Sequence, residues 1–359
     1  MPTLSVSPAL SVGPALAADP ALSAGTARHT GTDLPLGTAL AGPLPPVETA
    51  PLIQTPSSAA ATVEARVLSL LLPYHRTSGP ASPDPADHPE QLRQIRQFTE
   101  AGEPVVLTLP GFPCKSPNPA KVLGHLPDEG ERLSLGFLDR LCARVGEVYE
   151  PGARMLICSD GHIFGDLIRV PDPLIDAYGD ALRALIRSEG LTRLDTFDMR
   201  DVHGDLDHDT KRRLVTDAYA PSVPSLRELA RTDEETARLY RGITRFLVED
   251  TADFTGTRSA LQRECRTRAY GVIARSRAWG DLIAHHHPRS VRLSIHPQRP
   301  GSEKFGIRLL DAADAWATPW HTVVLRGRGG AARLMRREDA ERLGRLVLRD
   351  GRPSHYEEV

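Results

Sequence analysis

Short apolar runs alternate with amphipathic helical segments through the first half of the chain, and this alternation constrains the fold most strongly. Residues 104–109 (PVVLTL) and 154–158 (RMLIC) are mainly apolar, without regular polar alternation, which is typical of strands buried on both faces. Residues 133–148 and 174–188 have the apolar spacing of helices that bury one face. The pattern predicts an α/β fold with a Rossmann-like, mainly parallel sheet flanked by helices.

The rest of the chain adds a helical middle and a strand-rich end. A short strand is expected near 194–199, followed by helices at 209–219, 225–250 and 257–285. Strands are then expected at 291–295, 305–310 and 321–325, before a helix near 338–346 and a strand-like tail. These closing strands predict an antiparallel C-terminal extension of the sheet.

Residues 1–60 differ in composition from everything that follows. They consist mostly of Ala, Pro, Gly, Ser, Thr and Leu, and they contain no aromatic residue. Such a segment buries too little apolar surface to fold, so we expect a disordered leader at 1–60 and a single α/β catalytic domain at 61–359. The first basic residue is Arg28, so the positively charged start of a secretory signal is missing.

Charge and cysteine usage exclude several classes of protein. The 44 Lys and Arg residues balance 46 Asp and Glu residues, which leaves no excess charge for nucleic acid or a membrane surface. No apolar run reaches the roughly 20 residues that a membrane-spanning helix needs. The four cysteines form no CxxC pair, which argues against a zinc ribbon or a disulfide framework and suits a reducing cytoplasm. We expect a cytoplasmic protein without a nucleic-acid or membrane partner.

Three polar loops follow predicted strands. The first strand runs into PGFPCKSPN (110–118), the second into SDGHIFGD (159–166), and the strand at 291–295 into HPQRPGSEK (296–304). Open α/β sheets bind ligands beyond the carboxyl ends of their strands. The three loops therefore predict one shared pocket at that edge, against the simpler alternative that surface loops are polar in any case.

The side chains of these loops favour anion binding and proton transfer. Basic and hydroxyl groups suited to a phosphate are Lys115, Ser116, Arg292, Arg299, Ser302 and Lys304, with Arg275 added from a helix. Carboxylates suited to holding an ammonium group or accepting its proton are Asp160 and Asp166. Imidazoles, which titrate near neutral pH, are present at His162, His296 and His321.

Two histidine patterns suggest metal binding but lack partners. In His285-His286-His287, successive side chains on a helix point about 100° apart, and Pro288 then ends the helix, so the tract predicts a polar helix terminus. His203-Gly204-Asp205 matches the HxD of a two-histidine, one-carboxylate iron site, with His296 or His321 as the third ligand. Its hyperpolar surroundings lack the strand-forming residues of such oxygenases, so we expect no metal. No GxGxxG, GxxxxGK[ST] or GxSxG motif is present either.

Five segments together resemble the pyoverdine/dityrosine biosynthesis family, which includes the bacterial isonitrile (isocyanide) synthases. They are LPGFPCKSPNPAKVLGHLPDEGE (109–131), LICSDGHIFGDLIRVPD (156–172), RAYGVIARSRAWGDLI (268–283), VRLSIHPQRPGSEKFGIRLL (291–310) and WATPWHTVVL (316–325). The similarity spans about 109 to 325 and leaves out residues 1–60.

The resemblance implies an isonitrile synthase that works as a carbon–carbon lyase without a cofactor. In such a reaction the α-amine of an aromatic amino acid, tyrosine before tryptophan, condenses with the C2 ketone of ribulose 5-phosphate. The imine then undergoes proton transfers, phosphate loss and carbon–carbon cleavage, and one sugar carbon remains on nitrogen as the isonitrile. The two substrates are the implied partners, and a downstream oxygenase of the same pathway is a further candidate.

The resemblance also suggests roles for the residues of the three loops. Binding of the sugar phosphate and the amino-acid carboxylate is expected from Lys115, Arg292 and Lys304, helped by Arg275, Ser116 and Ser302. Deprotonation of the amine is expected from Asp160 and Asp166, and proton transfer from His296 and His321. Lys115 could also form a Schiff base with the sugar, although the substrate supplies its own amine. Trp316 and Trp320 line the pocket in this interpretation, against ordinary core packing.

Three other functions remain open at this point. One is an N-formylating or N-acylating enzyme acting on tyrosine, as the fungal dityrosine branch of the family suggests. Another is a sugar-phosphate binding protein without catalytic activity. The last is the Fe(II)/2-oxoglutarate oxygenase that the HxD motif would serve.

Overall fold

The computed structural model describes residues 62–159, 161–312 and 317–359. The leader predicted at 1–60 lies outside these ranges, as do Asp160 and Trp316. The assignment of 61–359 to one domain stays a prediction. In the described part of the chain, no helix is both long enough and apolar enough to cross a membrane.

A five-stranded parallel sheet forms the centre of the fold. Its strands are β1 (Val105–Pro110), β2 (Ala153–Cys158), β3 (Leu194–Phe197), β4 (Val291–Ser294) and β5 (Phe305–Gly306), in the order β3-β2-β1-β4-β5. All neighbouring pairs run parallel: Val105 lies opposite Ala153, and Leu107 opposite Val291. This confirms the Rossmann-like sheet predicted from the apolar runs.

Strands β4 and β5 belong to this sheet and not to the C-terminal extension in which the sequence placed them. Leu293 lies opposite Phe305 in a parallel pair, so residues 295–304 form a crossover between two parallel strands. The burial of β4 explains the difference, because three of its four side chains are buried, as in the other strands of a covered sheet.

Eleven α-helices, counted within the described ranges, surround the two sheets. They are α1 (Val63–Leu71), α2 (Pro89–Ala101), α3 (Glu129–Val148), α4 (Gly161–Ile168), α5 (Asp172–Ser188), α6 (Met199–His203), α7 (His208–Tyr219), α8 (Val223–Thr232), α9 (Glu234–Asp250), α10 (Arg258–His286) and α11 (Arg337–Leu343). The start of α3 is fixed by a capping box, in which Asp128 and Glu131 satisfy each other's backbone amides.

The sequence predicted one helix over 225–250, and the structure has two. Asp233 ends α8 and caps α9, since its carboxylate accepts a hydrogen bond from the Thr236 amide at 2.7 Å. An aspartate at this position competes with helix continuation through its short polar side chain. The loop predicted at 159–166 also differs, because α4 begins at Gly161. A Cβ at Gly161 would lie 2.1 Å from the Pro113 carbonyl oxygen, so only glycine permits this approach.

The C-terminal part forms a second, mixed sheet. Its strands are β6 (Asp311–Ala312), β7 (Val323–Arg326), β8 (Ala332–Met335), β9 (Gly344–Arg349) and β10 (Arg352–Glu358), in the order β6-β8-β7-β10-β9. The pairs β7–β8 and β9–β10 are antiparallel, as predicted for this extension, whereas the edge pair β6–β8 is parallel. The central pair, β10 with β7, is parallel.

Two hydrophobic clusters cover the first sheet. One contains Leu107 and Met155 from the strands together with Leu138 of α3 and Tyr178 of α5. The other contains Cys158 and Phe197 at the carboxyl ends of β2 and β3, packed on Trp279 of α10. These clusters hold the sheet rigid and leave its carboxyl edge as the place where loops meet.

Candidate active site

A cavity of about 950 Å³ opens beyond the carboxyl ends of β1 and β4. The loop after β1 forms one wall, and Ile295 and His296 after β4 form the next. Helix α4 contributes Phe164 and Ile168, so all three loop regions predicted from the sequence border this space. Helices α9 and α10 and the second sheet close the remaining sides. The location is the one expected for a ligand site in an open α/β sheet.

Five of the residues proposed from the sequence line this cavity: Lys115, Ser116, His296, Trp320 and His321. Five others do not line it: Asp166, Arg275, Arg292, Ser302 and Lys304. Asp160 lies outside the described residues. The sequence therefore identified the loops better than it identified the individual side chains.

His321 lies on a 3₁₀ turn, Pro319–His321, before β7. Its Nδ1 lies 3.0 Å from the Thr318 hydroxyl, and its Nε2 lies 3.7 Å from Oδ2 of Asp250. The ring packs edge-on against Phe246, with 4.7 Å between the ring centroids. Burial lowers the pKa of His321 well below its usual value, and the ammonium groups of Lys121 and Lys115 add to this effect. The imidazole is therefore neutral at pH 7 and able to accept a proton.

Asp250 and Lys121 complete an acid–base cluster with His321. Asp250 is the last residue of α9, and its Oδ1 accepts a hydrogen bond from Nζ of Lys121 at 2.5 Å. Oδ2 is buried and has no hydrogen-bond partner among the described residues. Burial raises the pKa of Asp250, while Lys121 and the Ser116 hydroxyl act in the opposite direction. A buried carboxylate oxygen that lies beside an imidazole at the edge of a cavity is suited to proton transfer.

His296 and Arg76 form a second polar group in the cavity. Burial lowers the pKa of His296 to about 4, and the charges of Arg76 and Lys304 add to the shift. The Arg76 guanidinium also donates a hydrogen bond to the Ile295 carbonyl, beside His296 in the chain. The sequence did not single out Arg76, because its segment reaches the site only through bridges such as His75–Ile307.

Lys115 is fully buried at the base of the cavity. Its ammonium group contacts Oδ2 of Asp128 at 2.8 Å and Oε2 of Glu131 at 2.7 Å, and it donates to the Pro319 carbonyl at 3.0 Å. Burial raises the pKa of Asp128, with Lys115 opposing and Glu131 reinforcing the shift, because two carboxylates share one ammonium. All three N–H donors have partners. Phosphate binding or Schiff-base formation by Lys115, as the sequence suggested, would require this network to open.

The loop after β1 has a strained backbone next to Trp320. Phe112 adopts a φ of 55°, in the left-handed region that bulky residues avoid. Its ring lies 5.1 Å from that of Trp320, and a Cβ at Gly111 would come within 3.3 Å of the same indole. Both aromatic side chains are buried. This packing presents Cys114, Lys115 and Ser116 to the cavity.

Arg292 and Lys304 lie side by side, but outside the cavity lining. The Arg292 guanidinium forms an ion pair with Glu303 and donates to the Gly280 carbonyl at 3.1 Å. A Cβ at Gly280 would lie 3.3 Å from Nζ of Lys304 and 3.5 Å from Nη2 of Arg292. Arg292 lies in β4 and Lys304 at the end of the crossover before β5, and both side chains reach Gly280 of α10. The sequence analysis predicted that Arg292 and Lys304 face the substrate.

Asp166, Arg275 and Ser302 likewise have other partners. Asp166 and Arg275 form an ion pair with each other, and Arg275 also donates to the Ile163 carbonyl at 3.2 Å. The Ser302 carbonyl accepts a hydrogen bond from Nε2 of Gln91 at 2.9 Å. The two charges predicted to bind opposite ends of a substrate therefore neutralise each other.

The residues that sequence reasoning missed are mostly charged groups on α9 and at the end of the loop after β1. Besides Arg76, Lys121 and Asp250, they include Arg245 and Glu249. Asp250 and Lys121 are 129 positions apart, and a long helix conceals which of its many charges faces inward. One usable signal was Lys121 itself, since lysine is rare in this chain and this one lies within the segment that resembles the family.

The candidate iron ligands are not assembled. Among the described residues, the side chains close enough to hold a metal ion together are His162, Asp172 and His208. His203 belongs to no such group with His296 or His321, although all three lie in the described ranges.

The fold and the cavity define a Rossmann-like α/β protein with a site for small ligands beyond its parallel strands. The family model described as pyoverdine/dityrosine biosynthesis protein matches residues 95–347. The chain belongs to this family, which confirms the prediction made from its motifs.

Its relatives share most of its length. An L-tyrosine isonitrile synthase of Pseudomonas aeruginosa is 46% identical over 309 residues, covering 82% of this chain and 94% of the relative. An L-tryptophan isonitrile synthase of Fischerella ambigua is 41% identical over 268 residues, covering 74% of this chain and 81% of the relative. The crystal structure of the PvcA protein of Pseudomonas aeruginosa has a TM-score of 0.78 at 46% identity, and the match covers 83% of this chain and all of that one.

Proposed function

We propose that this protein is an isonitrile synthase that uses ribulose 5-phosphate as its carbon donor. It converts the α-amine of an aromatic L-amino acid, tyrosine first and tryptophan next, into an isonitrile. Similarity to the two named synthases supports this reaction, with higher identity to the tyrosine enzyme. The reaction is of the carbon–carbon lyase type and requires no cofactor, because the amino acid supplies the nucleophilic nitrogen and the ketone supplies the electrophile.

The observation that carries this proposal is the meeting of an acid–base cluster with an apolar wall in one cavity. His321 and Asp250 line the same cavity as Ile243, Phe246 and Val272, which supply its apolar surface. At about 950 Å³, the cavity is near the upper end of the roughly 300–1,000 Å³ usual for ligand sites. The apolar wall suits an aromatic side chain, and the volume leaves room for a five-carbon sugar phosphate.

The acid–base cluster supplies the proton transfers of this reaction. The amine must lose a proton before it attacks the C2 ketone, and neutral His321 accepts that proton while Asp250 stabilises the imidazolium that forms. His296 transfers protons in the later dehydration and cleavage. Asp250 thus takes the part that the sequence assigned to Asp166, and the same assignment for Asp160 stays a prediction.

The anionic groups of the two substrates require cations that face the cavity. Arg76 and Lys121 both line it, and we assign the sugar phosphate to Arg76 and the amino-acid carboxylate to Lys121. Ser116 adds a hydroxyl near Asp250. The assignment replaces Arg292 and Lys304, whose side chains lie outside the lining.

The setting of the reaction is also part of the proposal. Cys114, Cys142, Cys158 and Cys265 are buried and form no disulfide with one another, which supports a reducing cytoplasm. An isonitrile attached to an amino acid is an intermediate of specialised metabolism, and a downstream oxygenase of the same pathway is a fitting consumer of it.

Turnover by the full-length protein tests this function. Protein treated with a chelator is incubated with ribulose 5-phosphate and either tyrosine or tryptophan, and the isonitrile is detected by its infrared absorption and by mass. The proposal expects isonitrile with at least one amino acid and no product without the sugar phosphate. A formylated or acylated amino acid would favour the alternative enzyme class. Activity that appears only with Fe(II) and 2-oxoglutarate would favour an oxygenase.

A further inference from the structure

Two histidines and two aspartates form a compact group on α4, α5 and α7, which we call the paired-histidine cluster: His162, Asp172, Asp176 and His208. Nδ1 of His162 lies 3.0 Å from Oδ1 of Asp172, and its Nε2 lies 3.1 Å from Oδ1 of Asp176. Nε2 of His208 lies 3.4 Å from Oδ2 of Asp176. None of the four side chains lines the cavity described above. The proposed reaction therefore leaves this cluster unexplained.

The two imidazoles lie in a face-to-face stack that offers several metal-ligating atoms on one side. Their ring centroids are 3.8 Å apart and the ring planes differ by 7°. One ligand atom from each of His162, Asp172 and His208 lies within 4.8 Å of the others. Nδ1 of His208 is buried and has no hydrogen-bond partner within the described ranges. A buried ring nitrogen without a partner is costly unless something else, such as a metal ion, binds it.

The side chains around the cluster carry a net negative charge. The neighbouring carboxylates are Asp166, Asp172, Asp176 and Asp209, and the neighbouring guanidinium groups are Arg212 and Arg275. Four carboxylates against two guanidinium groups leave two negative charges. Two protons on the imidazoles would balance them, but stacked imidazolium rings repel each other.

We propose that the paired-histidine cluster binds one divalent transition-metal ion of the Zn²⁺ class, with His162, His208 and Asp172 as ligands. Neutral imidazole and carboxylate together are a ligand set that Zn²⁺ and its neighbours prefer. Bonds of about 2.0–2.1 Å in a tetrahedron need ligand atoms about 3.3 Å apart. The two stacked rings must tilt toward each other so that a nitrogen of each points at the same ion, and both side chains are only partly buried, which leaves room for this movement.

The surroundings provide the support that ligands of a metal ion usually have. Arg212 donates to both carboxylate oxygens of Asp172, at 2.8 and 2.9 Å, and this contact lowers the pKa of Asp172 to about 2. Asp176 faces a ring nitrogen of each histidine, so the nitrogen that does not bind the metal has a carboxylate beside it. Such outer carboxylates fix the ring orientation of metal-binding histidines.

The bound ion would join three helices near the substrate cavity. His162 belongs to α4, and Phe164 and Ile168 of the same helix line the cavity. A metal ion that ties α4 to α5 and α7 therefore stabilises one wall of the site without contacting a substrate. The proposal does not depend on the function proposed above, because it concerns binding and stability alone.

Cobalt binding tests the proposal directly, since Co²⁺ in a site of this kind absorbs visible light. The full-length protein, stripped with a chelator, is titrated with Co²⁺, and its melting temperature is measured with and without Zn²⁺. We expect one equivalent of Co²⁺ with visible bands, and a rise of several degrees in melting temperature on adding Zn²⁺. His208→Ala and Asp172→Asn should each weaken Co²⁺ binding at least tenfold and abolish the Zn²⁺-dependent rise.

A matched control separates this site from adventitious binding by the histidine tract at the end of α10. The double variant His285→Ala/His286→Ala should retain the visible bands and the thermal shift of the wild type. Circular dichroism and the melting temperature without metal show whether each variant is folded. If His208→Ala does not fold, His162→Asn takes its place in the comparison. Binding that His208→Ala and Asp172→Asn leave unchanged, or that the α10 double variant abolishes, would mean an adventitious ion only and would overturn the proposal. An absence of visible bands in the wild type would do the same.

Discussion

Oδ2 of Asp250 lies 3.7 Å from Nε2 of His321, and the other carboxylate oxygen accepts a hydrogen bond from Lys121. The two residues come from α9 and from the turn before β7, so the fold brings a buried carboxylate and a neutral imidazole together in the cavity. This relationship is the basis of the proposed proton transfers.

Replacing Asp250 by asparagine should lower kcat by about 100-fold, in the range of general acid–base catalysis. The amide keeps the shape of the side chain but removes the charge that stabilises an imidazolium at His321. The measurement is the rate of isonitrile formation at saturating substrate. Glu235→Gln is the matched control, because Glu235 lies on the same helix, is exposed and does not line the cavity. Equal losses in the two variants would count against a specific role for Asp250.

Stability should fall as the pH drops below the ordinary range of histidine, and His296 should account for part of this loss. Its pKa is lowered from 6.5 to about 4 in the folded protein, so the unfolded chain binds a proton over this interval that the folded chain does not. Between pH 7 and pH 4 the cost is about 3 kcal/mol.

Urea unfolding of the wild type and of His296→Asn at both pH values measures this contribution. The variant should lose less free energy of unfolding than the wild type over the same interval. Identical pH dependence in the two proteins would show that His296 is not buried in its neutral form. His75 is an internal reference, because burial lowers its pKa to about 4 as well and the substitution leaves it in place.

Lys115→Met should destabilise the protein by about 3–5 kcal/mol, the usual cost of removing one partner from a buried ion pair. Asp128 and Glu131 would then remain buried without their cation, and the Pro319 carbonyl would lose its donor. Urea unfolding provides the measurement.

Two further variants show whether the charge network is responsible for this loss. Lys121→Met should cost much less stability, because the Lys121 side chain is 20% exposed, whereas that of Lys115 is fully buried. Adding Asp128→Asn and Glu131→Gln to Lys115→Met should restore part of the stability. No recovery would indicate that Lys115 acts through packing and not through its charge.

Arg76→Gln should raise the KM for ribulose 5-phosphate at least tenfold with a smaller change in the KM for the amino acid. The reason is the loss of the guanidinium that we assign to the sugar phosphate. Steady-state kinetics with each substrate varied in turn gives both constants. Lys304→Ala is the control, since Lys304 lies outside the cavity lining and should change KM less than threefold. A larger rise in the KM for ribulose 5-phosphate with Lys304→Ala than with Arg76→Gln would indicate that Lys304 binds the phosphate.

The sequence was most informative where one local pattern decides the structure. The strands β1 and β2 are short, mainly apolar runs, and both lie where the sequence predicts them. The division between α8 and α9 depends on one aspartate, whose capping role is local but competes with a strong helical pattern around it. Strand pairing is non-local, so the parallel registration of β4 with β5 was not readable from the apolar runs alone.

The site was predictable to the level of loops and family motifs. His296, His321, Ser116 and Trp320 lie at the cavity because strand ends in a parallel sheet meet at one edge. Lys115 also lines the cavity, and its burial against two carboxylates depends on the cap of α3, which the sequence analysis did not connect with it. Arg292, in β4, precedes His296 and Lys304 follows it in the crossover, but the side chains of both lie beside α10 and do not line the cavity. Asp250 and Arg76 come from distant segments of the chain. Only tertiary packing places them at the cavity, so no local sequence pattern could have identified them.

The origin of the isonitrile carbon tests the central claim most directly. The chelator-treated full-length protein is incubated with L-tyrosine and with ribulose 5-phosphate labelled with carbon-13 at C2, and the product is measured by mass and by carbon-13 magnetic resonance. Because the amine attacks C2, the account predicts one labelled carbon, located in the isonitrile group. An unlabelled isonitrile, or labelled sugar consumed without any isonitrile, would contradict it.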